Sequence, residues 1–249
     1  LRIGYVSPDF RLHAVALFAE PILANHDKSQ VEIFCYAEVA EPDNVTARFQ
    51  QYADHWHSTI GMSDEAVAQL IRSHQIDILV DLAGHTRNNR LLVFAFKPAP
   101  VQITYLGYPN TSGLATMDYR ITDRHADPEG VADTYYCERL LRLPGSLWCY
   151  RPTADMPDIS PLPALARGYL TFGSFNNFNK IDQPTLELWA GLLRALPTAR
   201  LLMLTVPEGE IRQRLLRSFA ELGISAQRLE LHGKLPVAEF HRKFLEVDI

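Results

Sequence analysis

Tyr169-Leu170-Thr171-Phe172-Gly173-Ser174-Phe175 is an apolar, strand-like run, and Asn176-Asn177-Phe178-Asn179-Lys180-Ile181-Asp182 carries the chain from it into a helical pattern over 185–196. Leu186, Trp189, Leu192, Leu193 and Leu196 fall on one face of that helix. A strand, a short polar turn and an amphipathic helix form the first part of a βαβ unit. The pattern then repeats. A strand is expected at 201–206, a helix through Ile211, Leu215, Phe219 and Leu222, a strand at 228–231, and a helix at 237–247. Such alternation implies an α/β fold with largely parallel sheets.

Upstream, the same reading gives strands at 2–7, 31–39, 76–82, 101–106, 119–122 and 140–143. Helices are expected at 14–25, 64–73 and 88–96. Residues 151–163 contain four prolines and no apolar periodicity. We therefore expect a Rossmann-like domain over 1–150, a linker over 151–164 and part of a second Rossmann-like domain over 165–249. The first residues already read as a strand, and Val247-Asp248-Ile249 reads as the start of another, so the sequence is expected to be a piece of a longer chain.

The 249 residues are 47% hydrophobic with a formal net charge of −5, a globular composition that does not suggest a nucleic-acid partner. Three cysteines (Cys35, Cys137, Cys149) show no CxxC spacing, which favours a reducing, cytoplasmic setting over a disulfide framework. There is no signal-peptide pattern and no apolar run of membrane-spanning length. If 55–57 is a strand, His55 and His57 share one face without a third nearby ligand, so no metal site is expected. There is no GxGxxG after the first strand, no P-loop and no GxSxG.

In doubly wound folds ligands gather at the carboxyl ends of strands. Four loops fall there: 7–13, 84–87, 107–113 and 176–180. The last ends in Lys180 ahead of a helix, a combination of backbone N–H groups, helix dipole and cation that suits a diphosphate. His13 stands at an expected helix start, where the dipole favours a neutral ring able to accept a proton, and Asp9 lies within reach to orient it. The plainer reading is a capping aspartate and a surface histidine. Two α/β units facing each other across a cleft would suit a nucleotide-sugar transferase.

Gly4-Tyr5-Val6-Ser7-Pro8-Asp9-Phe10 with His13, Leu82-Ala83-Gly84-His85-Thr86, Leu106-Gly107-Tyr108-Pro109-Asn110-Thr111-Ser112-Gly113, Phe175-Asn176-Asn177 with Lys180, and Leu229-Glu230-Leu231-His232-Gly233 occur in one order. Together they resemble the catalytic region of the O-linked N-acetylglucosamine transferase family, including its bacterial and SPINDLY-like members. The resemblance implies a GT-B fold of two Rossmann-like domains. It implies inverting, metal-independent transfer of GlcNAc from UDP-GlcNAc to Ser or Thr hydroxyls of a protein or peptide acceptor, with no cofactor and no membrane. A tetratricopeptide array ahead of this region is expected in the complete protein. Lys180 matches the lysine that neutralises the UDP diphosphate. His13 and Asp9 match groups discussed as base and proton relay. Leu106, Gly107 and Pro109 match the loop lining the sugar site, Asn177 a UDP-contacting amide, and Leu235 a backbone contact to uracil. GDP-fucose-dependent O-fucosyl transfer and a non-catalytic scaffold of the same fold are the alternatives.

Overall fold

The computed structural model describes residues 1–153 and 156–249. The chain divides into two compact units, Leu1–Pro152 and Thr153–Ile249. The first unit runs β1 (Arg2–Ser7), α1 (Ala16–Ala24), β2 (Glu32–Ala37), α2 (Asn44–Tyr52), β3 (His55–Ser58), α3 (Asp64–Ser73), β4 (Ile78–Asp81), α4 (Leu91–Ala95), β5 (Val101–Thr104), β6 (Tyr119–Asp123) and β7 (Arg139–Leu143). All seven strands are parallel, in the order β3-β2-β1-β4-β5-β6-β7. The order reverses between β1 and β4. That is the switch point at which the carboxyl-end loops diverge and leave a crevice for ligands.

Both sheet faces are covered. Ile33, Cys35 and Ala37 of β2 pack with Phe10, Leu23 and Phe49 on the α1–α2 side. Phe34 and Tyr36 point the other way, against Val67, Ile71 and Phe94 of α3 and α4. The period of two is therefore apolar on both faces, as a sheet buried on both sides requires. Phe49 is fully buried, and its truncation to Ala would cost about 3–5 kcal/mol.

Two elements differ from the sequence reading for identifiable reasons. The helix expected at 88–96 is only α4, because Asn88 takes φ +61 and the Asn89 Oδ1 accepts from Leu91 N. The sequence reading missed α2, whose signal is a cap. Asp43 Oδ1 accepts from Thr46 N at 2.9 Å, and Thr46 Oγ1 accepts from Asp43 N at 3.0 Å. The Asn44-Val45-Thr46 triplet, a formal glycosylation pattern, is the first turn of that helix.

The second unit contains α5 (Pro163–Arg167), β8 (Thr171–Ser174), α6 (Gln183–Ala195), β9 (Arg200–Met203), α7 (Glu210–Glu221), β10 (Leu229–Leu231) and α8 (Val237–Arg242). Its sheet is parallel in the order β10-β9-β8. Leu193, Leu201, Met203, Leu215 and Phe219 form its core. Val247-Asp248-Ile249 runs beside β8: Asp248 N donates to Thr171 O at 2.9 Å, and Gly173 N to Ile249 O at 2.8 Å. The expected linker is shortened by α5, which Pro163 starts and Gly168, at φ +74, ends. The helix expected at 237–247 stops at Arg242 and continues as a tighter turn, Lys243–Glu246.

Candidate active site

In the first unit, the chain leaves β1 at Ser7, whose hydroxyl accepts from Asp9 N at 2.9 Å. That turn buries the Asp9 side chain to 7% exposure and leaves the His13 ring 37% exposed beside it, with Nδ1 3.5 Å from Asp9 Oδ2. Val15 N also donates to Nδ1, at 3.2 Å. The nitrogen thus faces a donor and a carboxylate. With a lone pair at Nδ1 it accepts from the amide; in the other tautomer, with the proton on Nδ1, it faces Asp9 as a hydrogen-bond donor and leaves the Nε2 lone pair open. Burial pushes the Asp9 carboxyl up from its ordinary value, and the charges of His13 and Arg11 pull against that rise. Against the plain reading of a capping aspartate and a surface histidine, Asp9 is buried while His13 remains partly exposed.

Across the switch point, β4 ends in Asp81, which is 1% exposed. Its carboxylate accepts from Ala83 N at 3.0 Å, from Gly84 N at 2.9 Å and from the Thr104 hydroxyl at 2.9 Å. Burial dominates its titration and raises its pKa. These bonds set the path of loop 82–87. Gly84 adopts φ +56, and a Cβ there would lie 2.5 Å from Tyr108 Cβ. A Cβ at Gly107 would lie 2.3 Å from Leu82 O and 2.6 Å from Ala83 Cα. The loops after β4 and β5 therefore touch backbone to backbone, and only glycine permits it. His85 sits edge-on to Tyr108, ring centroids 5.3 Å apart.

Leu106, at φ +68, turns the chain out of β5 in a conformation rarely taken by a branched aliphatic residue. Leu106 and Pro109 line a cleft of about 440 Å³ with Arg120, His125, Leu147 and Trp148. Asp123, ending β6, shapes its far wall by accepting from His125 N and Ala126 N at 2.8 Å and from Leu147 N at 2.7 Å. The amides of Ala126 and Leu147 hold its carboxyl below the usual range. Sequence reading missed Asp81 and Asp123. Each is an aspartate closing a strand ahead of a turn, and that position was the available signal.

In the second unit, Asn177 caps and Lys180 ends the turn Phe178–Lys180 after β8. Asn177 Oδ1 caps the turn by accepting from Asn179 N at 3.0 Å. Lys180 is exposed; its backbone N donates to Asn177 O at 3.0 Å, and its ammonium has no hydrogen-bond or ion-pair partner among the described residues. One expectation needs correction here. The mouth of α6 is not an open anion cradle, because Asp182 caps it, accepting from Thr185 N at 3.0 Å and the Thr185 hydroxyl at 2.5 Å. The cationic character of this loop rests on the lysine. Thr205, closing the neighbouring β9 loop, holds φ +61 and donates to Asn176 O at 2.8 Å.

Leu235 is half-buried in the connection from β10 to α8. Before it, His232 Nε2 pairs with Glu230 Oε1 at 2.7 Å, and Lys243 Nζ donates to the same oxygen at 3.2 Å. Phe175 stacks on Phe244 at 4.4 Å, with Phe240 edge-on at 5.6 Å. Among the described residues no group of three or more His, Cys, Asp or Glu side chains is placed to hold a metal ion. Among the described residues no helix is long and apolar enough to cross a membrane.

Residues 1–151, the unit that carries the Asp9–His13 pair and the Gly107 loop, match glycosyl transferase family 41. The chain belongs to that family. It is 44% identical over 237 residues to the Petunia hybrida protein named probable UDP-N-acetylglucosamine–peptide N-acetylglucosaminyltransferase SPINDLY, covering 93% of this chain and 25% of the relative. A mutant of the Thermobaculum terrenum O-GlcNAc transferase superposes with a TM-score of 0.93 at 37% identity, over 100% of this chain and 47% of that one. Anabaena Alr3699/HepE, solved with UDP and glucose, shares the fold alone, with a TM-score of 0.52 at 11% identity over 98% of this chain and 72% of that one. Family 41 membership and these superpositions give the fold as GT-B type with Rossmann-like units. The chain spans about a quarter of the length of the curated relatives it matches.

Proposed function

We propose that the complete protein carrying this sequence transfers GlcNAc from UDP-GlcNAc to serine or threonine hydroxyls of protein or peptide acceptors, with inversion and without a metal. The observation that carries this reading is the family 41 match across the unit that holds the buried Asp9 against His13. In this reading the Nδ1–H form of His13 donates to Asp9 and frees Nε2 to take or relay the acceptor proton. The hydroxyl oxygen forms the new bond to the anomeric carbon as the bond to the UDP oxygen breaks. Lys180 stabilises the charge that develops on the departing diphosphate. Leu106, Gly107 and Pro109 line the sugar, while Asn177 and Leu235 contact the nucleotide. An array of tetratricopeptide repeats ahead of this region presents the acceptor, and the protein works in the cytoplasm.

The test is incorporation of label from UDP-GlcNAc or GDP-fucose into a peptide library by the complete protein. Label arrives from UDP-GlcNAc only, and His13→Ala removes it. Incorporation from GDP-fucose alone would replace the donor, and none from either would leave a binding or scaffold role for the fold.

A further inference from the structure

Loop 106–113 is gripped from two sides by buried charges that no step above uses. Arg120 of β6, 4% exposed, donates through one guanidinium nitrogen to Tyr108 O at 2.9 Å and Asn110 O at 3.1 Å. Its Cζ lies 5.6 Å from the Tyr136 ring centroid. Glu138, 5% exposed just ahead of β7, takes the other half of the loop. Its Oε1 accepts from Ser112 N at 2.6 Å and from the Ser112 hydroxyl, and its Oε2 accepts from the Thr111 hydroxyl at 2.8 Å. Burial pushes the Glu138 carboxyl up, but the bonds from Ser112 and Thr111 outweigh it and hold the group ionised below its ordinary range. The cation and the anion therefore spend their hydrogen bonds on one loop's backbone and hydroxyls. Burying a charge is costly unless it is fully bonded, and Arg120 Nε is buried without a hydrogen-bond partner among the described residues, so such an arrangement stabilises little by itself but fixes geometry.

The geometry is one that would otherwise relax. Leu106 sits at φ +68, and Gly107 is pressed against Leu82 O. We propose that Arg120 and Glu138 are positioning residues that hold loop 106–113 in the shape that accepts the donor sugar. The proposal rests on the transferase reading given above. It assigns these residues to the sugar and not to the nucleotide, because loop 106–113 lies in the first unit and the lysine turn in the second.

The experiment uses the complete protein with Glu138→Ala, Glu138→Gln and Arg120→Met. Three quantities are read: KM and kcat for UDP-GlcNAc hydrolysis, the Kd for UDP by titration calorimetry, and the melting midpoint. Misplacing a substrate-bearing loop by about 1 Å costs up to ~10²-fold in rate. Glu138→Ala and Arg120→Met are expected to lower kcat/KM for the sugar nucleotide on the order of 10- to 100-fold, leaving UDP affinity intact. Glu138→Gln, which keeps an acceptor toward Ser112, restores most of the loss. A lower melting midpoint with unchanged kinetics overturns the proposal, as does an equal loss of UDP affinity. Should Glu138→Ala not fold, Thr111→Val removes the hydroxyl that donates to Glu138 Oε2, together with its weaker contacts to Gly113 N, Cys137 N and Cys137 Sγ, from a half-buried position, and an unchanged kcat/KM there overturns the proposal too. A wild-type protein that binds no UDP and turns over no UDP-GlcNAc instead overturns the reading beneath it.

Discussion

Replacing Gly107 by alanine tests the active-site geometry with a single methyl group. An added Cβ would lie 2.3 Å from Leu82 O and 2.6 Å from both Cα and O of Ala83. All three are backbone atoms at the end of β4, so none can swing aside as a side chain would. Ordinary contact would return only if the two loops parted by about 1 Å. Loop 82–87 is pinned by Asp81, so the motion falls on loop 106–113. Overpacking of this kind costs about 1–3 kcal/mol. In a chain of this size each kcal/mol lowers the melting midpoint by roughly 2–4 °C. The functional effect is larger, because a displacement of about 1 Å at a reacting centre costs up to ~10²-fold in rate. UDP-GlcNAc hydrolysis and UDP titration calorimetry on the complete protein separate the two consequences. Turnover falls on the order of 10²-fold while UDP still binds. Gly61→Ala is the control: no atom lies within 4 Å of its added methyl, so it carries the backbone strain of a positive φ, which Gly107 does not have, without any steric contact. Wild-type turnover in Gly107→Ala would refute the claim that this contact shapes the sugar site.

Lys180→Ala should reduce kcat roughly 10²–10³-fold and weaken UDP binding, since the exposed ammonium has no structural partner to lose; unchanged UDP affinity would remove the lysine from the diphosphate. Acid should destabilise the first unit through His57 and His74, whose rings stack at 4.5 Å. Burial and neighbouring histidine charge lower the pKa of His57, and burial with the charges of His55 and Arg2 lowers that of His74. The unfolded chain then binds the protons first, so this contribution is flat at alkaline pH and stability falls as pH drops through about 6.5. Melting midpoints from pH 8 to 5.5 check it. His57→Phe should flatten the slope, and the difference from wild type cancels the opposing contributions of Asp9 and Asp81; an unaltered slope would exclude His57.

Strand and helix alternation made the fold class readable, because a sheet buried on both faces writes continuous apolar runs such as Ile78–Asp81 and its flanks. Element ends were less readable where a cap decides them. Asn88 and Asn89 shorten α4, and Asp43 with Thr46 starts a helix whose own sequence is mostly polar. The Asp9–His13 proximity was legible as a spacing, but the burial of Asp9 was not, since it follows from the Ser7 turn and from the packing of Phe10 against Phe49 and Trp56. At Lys180 the sequence placed a cation before a helix but could not show that Asp182 occupies the helix mouth. Arg120 and Glu138 gave no local signal. Their partners lie 10 to 27 residues away and meet them only once β5, β6 and β7 are aligned.

Ser7, Asp81 and Asp123 each end a strand and bind the amides that follow, at positions 9, 83 and 84, and 125 and 126. One short polar side chain per strand therefore fixes the launch angle of its rim loop independently of what the rest of that loop contains. Residues farther along are less constrained, except where two loops touch, as at Gly84 and Gly107. On such a chassis a handful of exchanges can reshape the rim, provided the three anchors stay put.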